Sequence, residues 1–105
     1  MINNREVPFE YVRLAGKAPI QVSQHEKDGI SEEYIKRRVL YSSTKERGYL
    51  PDGSFKLIFK FRKGHRKPIL VEIFVREKTH NNLIREFIVY GVHVTKGVTS
   101  NDKNY

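Results

Sequence analysis

The stretch that most constrains this chain is residues 54–96, where three runs rich in β-branched and aromatic side chains are separated by two turn signals. In the first run Phe55, Leu57, Phe59 and Phe61 alternate with Lys56, Ile58, Lys60 and Arg62, the period of a strand that buries one face. Lys63-Gly64-His65-Arg66-Lys67-Pro68 then reverses the chain, because Gly64 takes positive φ freely and Pro68 has no N–H to give a ladder. Residues 69–77 read as a second strand, 78–82 as a second turn and 83–95 as a third strand. A three-stranded antiparallel meander follows.

Ahead of it, residues 30–41 carry the clearest helix signal: Ser31 stands at the N-cap, Ile30 is placed to staple onto Ile35, and acids fill the first turn with bases near the last. Residues 7–16 read as a shorter helix, with Pro8 at its first position, Gly16 just past its end and Val7, Tyr11 and Leu14 on one side. A strand alternating Phe9, Tyr11 and Arg13 is the competing reading. Residues 17–24, with Pro19 and alternating Ile20 and Val22, suit an extended connector or brief edge strand. Leu50-Pro51-Asp52-Gly53-Ser54 is a turn, so residues 45–50 offer a weaker fourth strand against the first of the meander. The expected fold class is α+β, with two N-terminal helices packed on a three- to four-stranded antiparallel β-meander. A single domain over residues 1–97 would be followed by a flexible tail, 98–105.

Twenty Lys and Arg against twelve Asp and Glu give a formal charge of +8, which suits a polyanionic partner, nucleic acid before any other. Solvated surface charge is the plain alternative. A membrane surface ranks last, since no apolar run approaches the roughly 20 residues of a bilayer span and no helix sets a strong apolar face beside a basic one. The start of the chain lacks the apolar core of a signal peptide, so a cytoplasmic location is expected. The absence of cysteine excludes disulfides, thiolate zinc sites and a cysteine nucleophile. No histidine pair has metalloprotease spacing, and His80 falls at the opposite end of the meander from His65, so neither a metal nor another cofactor is expected.

Which face of the meander does what depends on register, since a one-residue slip exchanges the faces. The most apolar combination sets Phe55, Leu57, Phe59 and Phe61 with Val71, Ile73 and Val75 and with Ile88, Tyr90, Val92 and Val94 as the core face. The other face then carries Lys56, Ile58, Lys60 and Arg62, Leu70, Glu72, Phe74 and Arg76, and Arg85, Phe87, Val89, Gly91 and His93. Cations among exposed rings suit single-stranded nucleic acid, because the cations meet phosphates while bases stack on rings. The candidate binding residues are Lys56, Lys60, Arg62, Lys63, Arg66, Lys67, Phe74, Arg76, Arg85 and Phe87. Cross-strand Lys–Glu–Arg pairs that merely stabilise a sheet would leave the same pattern.

Topology adds that His93 belongs at the same end of the sheet as Arg62, His65, Arg66 and Lys67. If there is chemistry, it is metal-independent RNA cleavage, which needs a base for the 2′-OH, an acid for the leaving oxygen and cations for the phosphate. The candidates are His93 or Glu72 as base, His65 or His25 as acid, and Lys60, Arg62 and Arg66 as stabilisers.

The order of elements, with His25, the Gly29-Ile30-Ser31-Glu32-Glu33 helix start and the strands of residues 55–95, resembles the small ribonuclease-toxin fold of the RelE/ParE type. The resemblance implies a basic, histidine-bearing sheet face that grips or cuts RNA, and a small antitoxin-like protein partner that neutralises it. Three readings stay open: a nucleic-acid-binding protein, a toxin-like endoribonuclease, and an interaction module for an acidic protein. A homodimer is also open, through edge pairing of the strand at residues 83–95.

Overall fold

The computed structural model describes residues 9–96, so the tail expected at 98–105 lies outside the described residues. The element order is β1 (Phe9–Leu14), α1 (Ala18–Gln24), a 3-10 turn (Glu26–Asp28), α2 (Glu32–Leu40), a second 3-10 turn (Thr44–Glu46), β2 (Gly48–Tyr49), β3 (Phe55–Phe61), β4 (Ile69–His80) and β5 (Ile84–Thr95). The strands form one five-stranded sheet in the order β1-β5-β4-β3-β2. Three neighbouring pairs are antiparallel and β1 runs parallel to β5. The fold class is therefore α+β, with two helices and a mostly antiparallel sheet.

Two local readings are corrected. Residues 9–14 are a strand, and the first helix lies at Ala18–Gln24, in place of the extended connector that the Pro19, Ile20 and Val22 pattern predicts. Helical spacing of Tyr11 and Leu14 competes with alternation of Phe9, Tyr11 and Arg13. Alternation wins because β5 offers a free edge that pairs every residue from Phe9 to Leu14. Gly16, at φ +61, turns the chain out of this strand rather than ending a helix. The helix that follows opens on Ala18-Pro19, so the missing N–H of Pro19 falls among the first-turn donors that have no intrahelical partner. It buries Ala18 and Val22.

Helix α2 forms as its sequence requires. The Ser31 Oγ accepts from the Tyr34 N–H at 3.1 Å, Glu32 and Glu33 lie in the first turn, and Ile30, Ile35 and Val39 are fully buried. Both helices cover one face of the sheet, where Val12, Phe55, Leu57, Ile69, Val71, Ile73, Val75, Phe87, Val89 and Val92 complete a single core. Strand β5 is flanked by β4 and, along Ile84–Val89, by β1, so that length of the strand expected at residues 83–95 is not an edge. Among the described residues no helix is long and apolar enough to cross a membrane.

The decisive irregularity lies between β4 and β5. Val71 faces Val94 and Ile73 faces Val92, but Val75 faces Val89, so Tyr90 is an extra residue on β5 opposite the Phe74/Val75 step. This β-bulge reverses the parity of β5. Val92 and Val94 point to the core on one side of it, Phe87 and Val89 on the other, while Tyr90 moves to the open face.

Candidate nucleic-acid interface

Among the described residues no helix covers the second face of the sheet. β3 contributes Lys56, Ile58 and Lys60 to it, β4 contributes Leu70, Glu72, Phe74 and Arg76, and β5 contributes Ile88, Tyr90 and His93. β1 adds Phe9, Tyr11 and Arg13, in register with Ile84, Glu86 and Ile88.

At its centre four side chains alternate ring and cation. The rings of Phe74 and Tyr90 are 6.2 Å apart. The Lys56 ammonium lies 5.6 Å from the Phe74 centroid and the Arg76 guanidinium 4.6 Å from that of Tyr90. Gly91 lies against this pair: a Cβ there would stand 3.5 Å from the Phe74 ring, in ordinary van der Waals contact. Tyr90 reaches across β4 to Ser54. The Ser54 Oγ donates to Asp52 Oδ1 at 2.6 Å, so the Tyr90 hydroxyl, 3.3 Å away, is the donor to Ser54. Hydrogen bonds from the Ser54 hydroxyl and N–H hold the Asp52 carboxyl below its ordinary range. Arg76 faces the same carboxylate at 3.9 Å.

Beside this group, Glu72 bridges two strands. Its carboxylate meets the His93 Nδ1 at 3.0 Å and the Lys56 Nζ at 3.5 Å. At the far end of the same face, the buried Glu86 is bonded to Arg13 and, at 3.2 Å, to His80. These two hydrogen bonds, Arg13's above all, hold its carboxyl below the ordinary range.

The candidate residues divide accordingly. Lys56, Lys60, Glu72, Phe74, Arg76 and His93 share the open face. Arg62, Lys63, His65, Arg66 and Lys67 occupy the exposed β3–β4 turn. The turn and His93 lie toward one end of the sheet, yet among the described residues no hydrogen bond or ion pair joins His93 to Arg62, His65 or Arg66. His25 pairs with Asp28 at 3.1 Å on the helix side of the sheet, away from the open face.

Two candidates are misplaced by the bulge. Phe87 is 1% exposed and packs edge-on to Phe55 at 6.2 Å, so no base can reach its ring. Arg85 lies on the helix side, held by Glu10 at 2.9 Å and Glu77 at 3.1 Å, away from the open face. Glu86, opposite Lys78, takes the position on the open face that an unbroken register assigns to Phe87, and Tyr90, expected in the core, joins the open face at the bulge. The sequence signal for it is Gly91, since glycine inside a strand marks bulges and close approach.

Among the described residues no three His, Asp or Glu side chains are grouped to hold a metal ion. No protein-family model matches the chain, and neither curated proteins nor solved structures yield a match.

Proposed function

We propose that this chain binds nucleic acid, RNA or single strands, on the open sheet face, with the basic β3–β4 turn gripping phosphates beside it. The observation that carries the reading is Tyr90, which the bulge delivers to an uncovered face next to Phe74, with Lys56 and Arg76 over the two rings. Bases stack on such rings for about 1–3 kcal/mol each whatever their identity, and neighbouring cations meet the phosphates between them. The net charge of +8 supports a polyanionic partner. The resemblance to RelE/ParE-type toxins agrees with an RNA ligand and adds an antitoxin-like protein partner.

Fluorescence anisotropy with short single-stranded RNA, matched DNA and a duplex at low salt tests the reading. Single strands are expected to bind more tightly than the duplex. Tyr90→Ala is expected to weaken binding roughly tenfold. Lys56→Ala, which leaves one phosphate fewer neutralised, is expected to reduce the salt slope by about 0.7. If neither RNA nor DNA binds at low salt, the reading fails and an acidic protein partner takes its place.

A second reading, metal-independent cleavage of RNA, is favoured by Glu72. A carboxylate that accepts from Nδ1–H of His93 leaves Nε2 free as a base for a 2′-OH, with Lys56 beside it to meet charge on the phosphate. Labelled RNA incubated with the protein in EDTA would then be cut, and His93→Ala would abolish cutting while leaving affinity intact. RNA that stays whole with wild-type protein overturns it.

A further inference from the structure

On the helix side of the sheet, the β3–β4 turn closes against the 3-10 segment Glu26–Asp28 around a cleft of about 40 Å³ lined by Asp28, Phe61, Lys63, Arg66, Lys67 and Ile69. Its cations are positioned by the fold. Gly29, at φ +94, leaves a space where a Cβ would stand 3.0 Å from Lys63 Cδ and 3.1 Å from the Phe61 ring, so the Lys63 stem lies across the glycine. The Arg66 Nη1 donates to the Lys27 carbonyl at 3.1 Å. The one carboxylate in the lining is already engaged: Asp28 receives His25 and Lys96, each at 3.1 Å, and the His25 hydrogen bond first, then Lys96, hold its carboxyl below the usual range.

Among the described residues, Lys27, Arg62, Lys63, Arg66 and Lys67 have no carboxylate partner, nor do Lys60 and Lys78 on the sheet, whereas Arg13, Lys56, Arg76 and Arg85 each have one; five of the seven stand at the β3–β4 turn and the 3-10 segment it meets. Unmatched like charges gathered at one end of a fold repel one another, and a bound anion relieves that repulsion.

We propose that this cleft binds a terminal phosphate monoester, the 5′ end of a nucleic-acid strand. The space is about three times what a single water requires, enough for one tetrahedral anion. A monoester carries close to two charges and three terminal oxygens above about pH 6, against one charge and two oxygens for an internal diester, and so matches three cations lining one cleft better. The polymer behind the phosphate rests on the nucleic-acid reading above; the anion site does not. Lys56 and the Phe74–Tyr90 pair lie on the other face, so the two sites respond to different substitutions.

The test compares 3′-labelled oligoribonucleotides that differ only in a 5′-phosphate or 5′-hydroxyl, alongside titration of the ¹⁵N-labelled full chain with inorganic phosphate. The phosphorylated strand is expected to bind about tenfold more tightly at pH 7.5, and the preference to shrink as the pH falls through about 6. Arg66→Ala and Lys67→Ala, both at exposed turn positions, are expected to erase the preference, while Lys56→Ala weakens both strands alike. Inorganic phosphate should shift the amides of residues 63–67. Equal affinity for the two strands, or a preference that survives both turn substitutions, overturns the proposal. If neither strand binds, the nucleic-acid reading fails along with the strand-end assignment, and amide shifts with phosphate alone would identify a free phosphate as the ligand. No shifts would overturn the anion site itself.

Discussion

Phe87 shows how one side chain changes meaning with its surroundings. As an exposed ring it would be a stacking platform; as found, it is fully buried against Phe55, with the Arg47 guanidinium 5.3 Å from its centroid. Phe87→Ala is therefore expected to cost about 3–5 kcal/mol of stability, read from urea midpoints, without a specific effect on nucleic-acid affinity. Tyr90→Ala should do the opposite, with a modest stability cost and weaker binding. Gly29 makes a second case. Any side chain there meets both the left-handed backbone and the Phe61 ring, so Gly29→Ala is expected to cost more than about 1 kcal/mol in the same assay.

At the scale of elements, the meander, helix α2 and the short strand before β3 were legible because local signals agree: alternation, an N-cap serine, acids and bases at opposite ends of the helix, and Pro, Asp and Gly at a turn. The N-terminal strand was not. Its identity is set by β5, which lies far along the sequence, and local spacing fits a helix nearly as well. The candidate site was legible for β3 and β4, where parity runs unbroken from Phe55 to Phe61 and from Ile69 to Val75. It failed on β5 because one inserted residue exchanges the faces beyond it. The composition of either face hides this, as Ile88 and Tyr90 look as suitable for a core as Phe87 and Val89. Deleting Tyr90 makes the role of the bulge measurable. With the extra residue gone, β5 alternates without a break and keeps Phe87, Val89, Val92 and Val94 on the core face, so a cooperative urea transition is expected to survive while nucleic-acid affinity falls as it does in Tyr90→Ala.

Over the whole molecule, acid should loosen the fold in a defined direction. Asp28 and Asp52 sit below their ordinary 3.8 and Glu86 below its ordinary 4.5, so near these values the unfolded chain binds more protons than the folded one. Their contribution is complete above the ordinary values and is lost as the pH falls through them and below. Urea midpoints should fall between roughly pH 6 and pH 3, and Arg13→Met should flatten part of that fall by removing the first partner of Glu86. The parallel seating of β1 on β5 also sets a folding order. Phe9 pairs with Ile84, a separation of 84 − 9 = 75 residues, whereas the β3–β4 and β4–β5 hairpins close over short turns. Closing the long loop costs entropy that the hairpins avoid, so β1 docks late. Val12→Ala should then chiefly speed unfolding, while Ile73→Ala should also slow folding in stopped-flow kinetics. During synthesis the first strand emerges from the ribosome well before β5, and it must wait for the two helices and the other strands to follow before its partner is available.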